Sequence, residues 1–158
     1  MIANDNRIFK RLADIRQDRD LNQYQVAHFL GVNQATYSKW ETGKEIIPLT
    51  MLHKFCMLME CSMDYALGFQ QENLPPLPVS PTLDKNEIGK RLIEFREENH
   101  LTQLQLAQIL NTTQSTISAY ENGKTMILTA FVYQIARKYG VSVDYLCARE
   151  KTKETVSQ

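Results

Sequence analysis

Two glutamines stand eighty residues apart in closely similar surroundings, Gln34 at the start of QATYSKWETGK and Gln114 at the start of QSTISAYENGK. A glutamine amide offers a donor and an acceptor side by side. This pair matches the N6 and N7 atoms of adenine in the major groove of DNA. The spacing therefore predicts two equivalent positions at which the chain could read a base pair.

Each of these stretches predicts a helix with an apolar side and a polar side. At 3.6 residues per turn, Tyr37 and Trp40 share one side of the first helix, and Ile117 and Tyr120 share one side of the second. The opposite sides are short, polar and nearly free of acid, so they could approach DNA phosphates closely. These outward residues are Ala35, Ser38, Lys39 and Thr42, and Ser115, Ser118, Ala119 and Asn122.

The likeness extends over most of the chain and indicates an internal duplication. Lys10-Arg11-Leu12 returns as Lys90-Arg91-Leu92, and the segment from Ser62 to Tyr65 has its counterpart at Ser142 to Tyr145. Apolar residues recur at intervals of three and four in each copy, and no strand-like alternation competes. The sequence therefore predicts an all-α fold of two similar five-helix domains.

Short polar residues stand where the second and third helices of each copy should begin. A residue that tolerates a left-handed backbone, followed by a β-branched one, separates these two helices and suits a tight turn. The candidate caps are Asn22, Asn33, Thr102 and Thr113, and the turns are Gly31-Val32 and Asn111-Thr112. Each copy thus predicts a helix, a turn and a helix. Asp84 with Glu87 predicts a capping box where the second copy begins.

A run of prolines separates the two copies, and prolines favour an extended chain over a helix. We predict a first domain at 1–69, a proline-rich linker at 70–83, a second domain at 84–149 and a polar tail at 150–158. A linker of about 14 residues at roughly 3.1 Å each could reach about 43 Å. That reach covers half-sites about 34 Å apart, so duplication could supply two reading heads. The sequence leaves open a homodimer, which would carry four such DNA-reading domains.

Both copies resemble the helix-turn-helix domain of the Cro/cI-type phage repressors, also called the XRE family. The likeness covers residues 7–69 and 87–149, and LTQLQLAQILNTTQSTISAYENGKT in the second copy is the closer match. The resemblance implies lambda-repressor-like domains of five helices. In such domains the third helix reads bases, and the N-terminus of the second helix rests on the phosphate backbone.

The resemblance also implies roles for the residues at matching positions. The implied DNA-base contacts are Asn33, Gln34, Ala35, Ser38, Lys39, Thr113, Gln114, Ser115, Ser118 and Ala119. The implied phosphate contacts are Gln23, Thr42, Lys44, Gln103, Asn122 and Lys124, with Gln23 and Gln103 also bracing Gln34 and Gln114. The implied ion pairs between first and third helices are Arg16 with Glu41 and Arg96 with Glu121.

The outward faces of the two copies differ most in chemistry at Lys39 and its counterpart Ala119. Lys39 can donate to guanine O6 and N7, whereas Ala119 offers only a methyl surface, which suits thymine. We therefore predict that the two half-sites differ and that the operator is an imperfect palindrome of double-stranded DNA. The predicted function is a sequence-specific transcriptional regulator, and more specifically a repressor.

Two other classes of function are weighed against this one. An antitoxin-like or adaptor protein would use the same folds to bind a protein, and the formal net charge of zero and the apolar Leu77 and Val79 favour it mildly. An enzyme is not predicted, because no glycine-rich phosphate loop, HExxH motif or supported Ser-His-Asp set is found.

Composition narrows the remaining choices. The three cysteines lack metal-ligand spacing, so no metal, cofactor or disulfide framework is predicted, and no small-molecule effector is evident. No apolar run approaches the roughly 18 residues of a membrane span. We therefore expect a soluble cytoplasmic protein.

Overall fold

The computed structural model describes residues 6–74 and 80–149, with side chains from residue 10 onward. The chain divides into two compact units, one ending at Pro81 and one beginning at Thr82. The helices of the first unit are α1 (Asn6–Asp18), α2 (Gln23–Leu30), α3 (Gln34–Thr42), α4 (Leu49–Met59) and α5 (Met63–Ala66). Those of the second unit are α6 (Lys85–Glu98), α7 (Gln103–Ile109), α8 (Gln114–Glu121), α9 (Thr129–Tyr139) and α10 (Val143–Leu146). Every element described is helical, which confirms the predicted all-α fold.

The core of each unit holds the inner side of its third helix. In α3, the rings of Tyr37 and Trp40 are buried and meet edge to face at 6.1 Å between centroids. Tyr37 also stacks on Phe55 of α4 at 6.5 Å. Ile117 and Tyr120 occupy the corresponding buried side of α8. Burying a large side chain stabilises the fold by about 1.5–3 kcal/mol, so the orientation of the third helix is set by its apolar side.

The predicted caps begin the helices of both helix-turn-helix segments. Asn22 Oδ1 accepts from the backbone N–H of Gln25 at 2.8 Å, and Gln25 Oε1 accepts from the N–H of Asn22 at 2.8 Å, which completes a capping box. Thr102 and Gln105 form the same reciprocal pair at the start of α7. Each such cap contributes about 1 kcal/mol. Asn33 and Thr113 cap α3 and α8.

The turn between these helices uses the left-handed backbone region in both units. Gly31 has φ of 75° and Asn111 has φ of 56°. Glycine has no Cβ and asparagine tolerates the left-handed region better than most residues, so each can reverse the chain at this point. The third helix thereby packs against the second, and the residues at its N-terminus are exposed. Gly43 and Gly123, at φ of 79° and 69°, lie where α3 and α8 end.

The capping box predicted at the start of α6 is wrong. Asp84 does cap this helix, since its Oδ1 accepts from the N–H of Asn86 at 2.8 Å. Glu87, however, accepts from Lys90 Nζ at 2.9 Å. A charged ammonium one turn away is a stronger donor than the neutral backbone N–H of Asp84, so it holds the glutamate side chain.

Parts of the predicted linker lie against the first unit. Gln70 accepts from Ser62 Oγ at 3.3 Å, Asn73 donates to the carbonyl of Glu60 at 3.0 Å, and the carbonyl of Ser80 lies 3.0 Å from His53 Nε2. Residues 75–79 of that linker, with Leu77 and Val79, and the predicted tail 150–158 lie outside the described residues. The predicted domain bounds therefore stay a prediction.

The remaining expectations from composition concern thiols and membranes. Cys56, Cys61 and Cys147 are buried in the cores. Among the helices described between residues 6 and 149, none has both the length and the apolar character that a membrane crossing requires.

Candidate nucleic-acid interface

An arginine of the first helix is joined to a glutamate of the third helix in each unit. Arg16 donates to Glu41 through Nε at 2.7 Å and through Nη2 at 3.0 Å, and Arg96 Nε donates to Glu121 at 2.5 Å. The two side chains of the first pair are 11% and 5% exposed, and those of the second pair are 16% and 2% exposed. Water therefore screens these pairs little, and the geometry of the first is bidentate.

Both pairs extend to the second helix. Arg16 Nη1 donates to the carbonyl of Leu21 at 2.8 Å, just before α2, and Gln23 Nε2 donates to Glu41 Oε1 at 3.2 Å. In the second unit Arg96 donates to the carbonyl of Leu101 at 2.9 Å, and Gln103 donates to Glu121 at 2.7 Å. We call each set the arginine network. It fixes the start of the second helix relative to the end of the third.

The arginine network also keeps the acidic residues of α3 and α8 away from the outward sides of these helices. Glu41 and Glu121 are the only acidic residues within α3 and α8. Both carboxylates point inward onto an arginine, so neither helix presents an acid to solvent. The outward residues of α3 and α8 themselves therefore carry amide, hydroxyl, methyl and ammonium groups, which phosphates do not repel. The carboxylate of Glu45 adjoins this side from the loop that follows α3.

The predicted base-contact residues lie at the start and on the outer side of these two helices. Gln34 and Gln114 are the first residues of α3 and α8, and both are exposed. Also exposed are Asn33, Ala35, Lys39, Thr113 and Ser115, whereas Ser38, Ser118 and Ala119 are partly buried. The structure thus brings the ten residues together as two matching groups of five. Their roles stay predictions.

Several of these side chains already make local hydrogen bonds. Thr113 Oγ1 lies 3.1 Å from Ser115 Oγ and 2.8 Å from Thr116 Oγ1, which forms a cluster of hydroxyls at the start of α8. Asn122 Nδ2 donates to Ser118 Oγ at 3.2 Å. In the first unit Thr42 Oγ1 donates back to the carbonyl of Ser38 at 3.0 Å. Such contacts orient the polar groups before any ligand arrives.

The predicted phosphate contacts are placed less uniformly. Lys44 and Lys124 are exposed in the loops that follow α3 and α8. Gln23 and Gln103 are partly buried, and each gives one amide hydrogen to the arginine network. No hydrogen bond joins either of them to Gln34 or Gln114 within the described structure, so the bracing predicted from the resemblance is not seen. The second amide hydrogen of each glutamine stays available to a phosphate.

Three residues beside the site were not identified from the sequence. Gln25 and Gln105 close the capping boxes, and the pattern of a short polar residue followed three positions later by glutamine could have indicated them. Glu45 also lies beside the site, because its Oε1 is 3.0 Å from Lys39 Nζ on the outward side of α3. An acidic residue shortly after the third helix was the available clue.

The pKa of Glu41 makes the first unit sensitive to acid. Burial alone would raise this pKa, but hydrogen bonds led by that from Arg16 outweigh burial and hold it below the ordinary 4.5. A carboxyl with a depressed folded pKa adds stability above its unfolded pKa and loses that stability as the pH falls through the folded value. We therefore expect the urea concentration at which the first unit is half unfolded to decrease as the pH is lowered below about 4.5.

The fluorescence of Trp40, the single tryptophan, measures this midpoint because it is buried in α3. The variant Glu41→Gln lacks the titrating group, so its midpoint should depend less on pH over the same range. Parallel curves for the two proteins would show that other carboxyls cause the acid response.

Comparison with known proteins agrees with this geometry. A family model described as helix-turn-helix (HTH_3) matches residues 12–65 and 92–146, one segment in each unit. Antitoxin PezA from Streptococcus pneumoniae is 33% identical over 64 residues, and the match spans 40% of this chain and 40% of that protein.

Two crystal structures of the clp gene regulator ClgR from Corynebacterium glutamicum are also similar, each at 21% identity. One match covers 42% of this chain and 87% of the other at a TM-score of 0.38, and the second covers 46% and 74% at a TM-score of 0.39. The family match covers more than half of the chain, and it falls on the two segments whose turns, caps and inward glutamates are described above. The chain therefore belongs to the XRE-type helix-turn-helix family of DNA-binding regulators and carries two copies of its domain.

Proposed function

We propose that the protein is a sequence-specific transcriptional regulator, acting as a repressor, that reads two half-sites of double-stranded DNA. In this proposal α3 and α8 each enter a major groove with Gln34 and Gln114 toward the bases. The observation that carries it is the inward, arginine-bound position of Glu41 and Glu121, so that no acid within α3 or α8 points outward. We expect such a protein to act in the cytoplasm.

The capping boxes support the same arrangement. They hold the first turns of α2 and α7, and the N-terminus of a helix favours an anion because its N–H groups and dipole point outward. The arginine network fixes these helix starts relative to α3 and α8. A phosphate contact at the second helix and a base contact at the third could therefore form together.

The test begins by selecting DNA sequences with the purified full chain. Replacing Gln114 with alanine should weaken binding to the selected duplex by about 1–3 kcal/mol and relax the choice at one base pair, because a bidentate contact to adenine is lost. Binding to random DNA should change far less. The affinities are measured by fluorescence anisotropy on both duplexes at one stated salt concentration.

A matched control is Gln108→Ala, which truncates an exposed glutamine of the same unit outside the predicted contact set. It should leave both affinities nearly unchanged. Equal losses on selected and random DNA in Gln114→Ala would show that this glutamine does not read a base. Selection of a perfect palindrome would contradict the proposed difference between half-sites.

A second candidate function is an antitoxin-like or adaptor protein that binds another protein. It is favoured by the match to a protein named as an antitoxin and by exposed apolar side chains, including Tyr24 at 64% and Phe29 at 55% exposure. A salt titration separates the two candidates, because operator binding should weaken steeply with salt as counterions are released. Failure to select any DNA sequence would favour this second candidate.

A further inference from the structure

We propose that Glu45 weakens the DNA contact of the first unit by holding Lys39. The inference rests on the proposed function. It assigns an affinity-lowering role to a residue that is not among the predicted contacts.

The geometry places the carboxylate of Glu45 on the outward side of α3. Glu45 Oε1 lies 3.0 Å from Lys39 Nζ, and the two side chains are 52% and 48% exposed. The backbone N–H of Glu45 also donates to the carbonyl of Lys39 at 3.2 Å. This second bond folds the loop back over the end of α3, so the carboxylate stays close to the lysine.

The pair has an electrostatic consequence for DNA binding. If the pair stays closed on DNA, the charge of Lys39 is already neutralised and contributes little. If it opens, a carboxylate is left where the loop nears the phosphates, and like charges repel. Either way, the first unit binds DNA more weakly than it would with an unpaired lysine.

The second unit lacks this pair. The positions that correspond to Lys39 and Glu45 are Ala119 and Thr125, which carry no charge. Lys124 corresponds to Lys44, so both units keep the lysine after the third helix. At these positions the first unit therefore carries one base and one acid, whose charges cancel, and the second unit carries neither.

The test measures the binding of full-chain variants to duplexes selected with the wild type. Glu45→Gln should bind about three- to tenfold tighter, because Lys39 is released. Its plot of log K against log salt should also be steeper, because the DNA-facing surface then carries one negative charge fewer. Lys39→Met should cost more in the Glu45→Gln background than in the wild type.

Two variants serve as matched controls. Asp14→Asn removes the same charge from another exposed pair, in which Lys10 Nζ lies 3.1 Å from Asp14 Oδ2, and it should change the affinity by less than about twofold. Thr125→Glu introduces an acid at the corresponding place in the second unit and should weaken binding. The fluorescence of Trp40 reports whether the first unit of each variant is folded.

The possible outcomes separate the inference from the function on which it rests. If Glu45→Gln binds no tighter than the wild type, or no tighter than Asp14→Asn, the inference is overturned while the proposed function stands. If the effects of Glu45→Gln and Lys39→Met simply add, the pair is not the cause and the inference is overturned as well. If no variant prefers any selected duplex over random DNA, both proposals fail.

Discussion

Replacing Arg16 with methionine is expected to lower the free energy of unfolding of the first unit by about 3 kcal/mol. The substitution leaves the carboxylate of Glu41, whose side chain is 5% exposed, with neutral neighbours such as Gln23 in place of a cation. It also removes the donor to the carbonyl of Leu21. A buried charge that loses its partner costs several kcal/mol, whereas an exposed one is solvated by water. Urea unfolding followed by the fluorescence of Trp40 measures the change.

Two further variants show whether the loss comes from the stranded charge. Lys10→Met breaks an exposed pair on the same helix, with side chains 75% and 45% exposed, and should cost about 0.5 kcal/mol or less. The double variant Arg16→Met with Glu41→Leu removes both charges, so it should regain much of the lost stability. A double variant less stable than Arg16→Met would indicate that the attraction within the pair contributes more to the free energy of unfolding than the cost of burying its charges.

Replacing Gly89 with alanine is expected to destabilise the second unit by about 2–3 kcal/mol. Gly89 lies within α6, and an added Cβ would stand 2.6 Å from the carbonyl oxygens of both Tyr120 and Glu121. These atoms belong to the backbone of α8 and cannot rotate away. In an unobstructed helix the same substitution would stabilise by about 0.5–1 kcal/mol, so even the sign of the change tests the close approach.

Hydrogen exchange of peptides from α6 and α8 measures this effect in the second unit, which contains no tryptophan. The control is Glu97→Ala, at an exposed position of α6, where the change should stay within about 0.5 kcal/mol. Because the displaced helix is α8, Gly89→Ala should also weaken binding to selected DNA. Unchanged or slower exchange in Gly89→Ala would show that α6 and α8 do not pack this closely.

Local rules of the sequence were enough to predict the scaffold of α3 and α8. Spacing by three and four placed Tyr37 and Trp40 inward, and the caps at Asn33 and Thr113 marked where α3 and α8 begin. These features depend on residues within a turn or two of each other. Periodicity and capping act at that range, so one sequence contains the information.

Contacts between helices were less predictable. The arginine networks were implied only by resemblance, because nothing local indicates that Arg16 meets a residue 25 positions away. Gly89 was not identified either, since its closeness to α8 depends on how two helices cross. Glu87 shows the converse case, in which a local rule predicted a capping box but a neighbouring lysine competed for the same side chain.

The arginine network is built from residues that the two copies share, namely Arg16 and Arg96, Glu41 and Glu121, and Gln23 and Gln103. Three of the five pairs of predicted base-contact residues differ instead, because Asn33, Ala35 and Lys39 correspond in sequence to Thr113, Ser115 and Ala119. The arginine network and the predicted base contacts therefore use separate sets of side chains. After a duplication, the outward residues of one copy can change while its arginine network stays the same. For the same reason, a designer could exchange outward residues between the copies without altering the network.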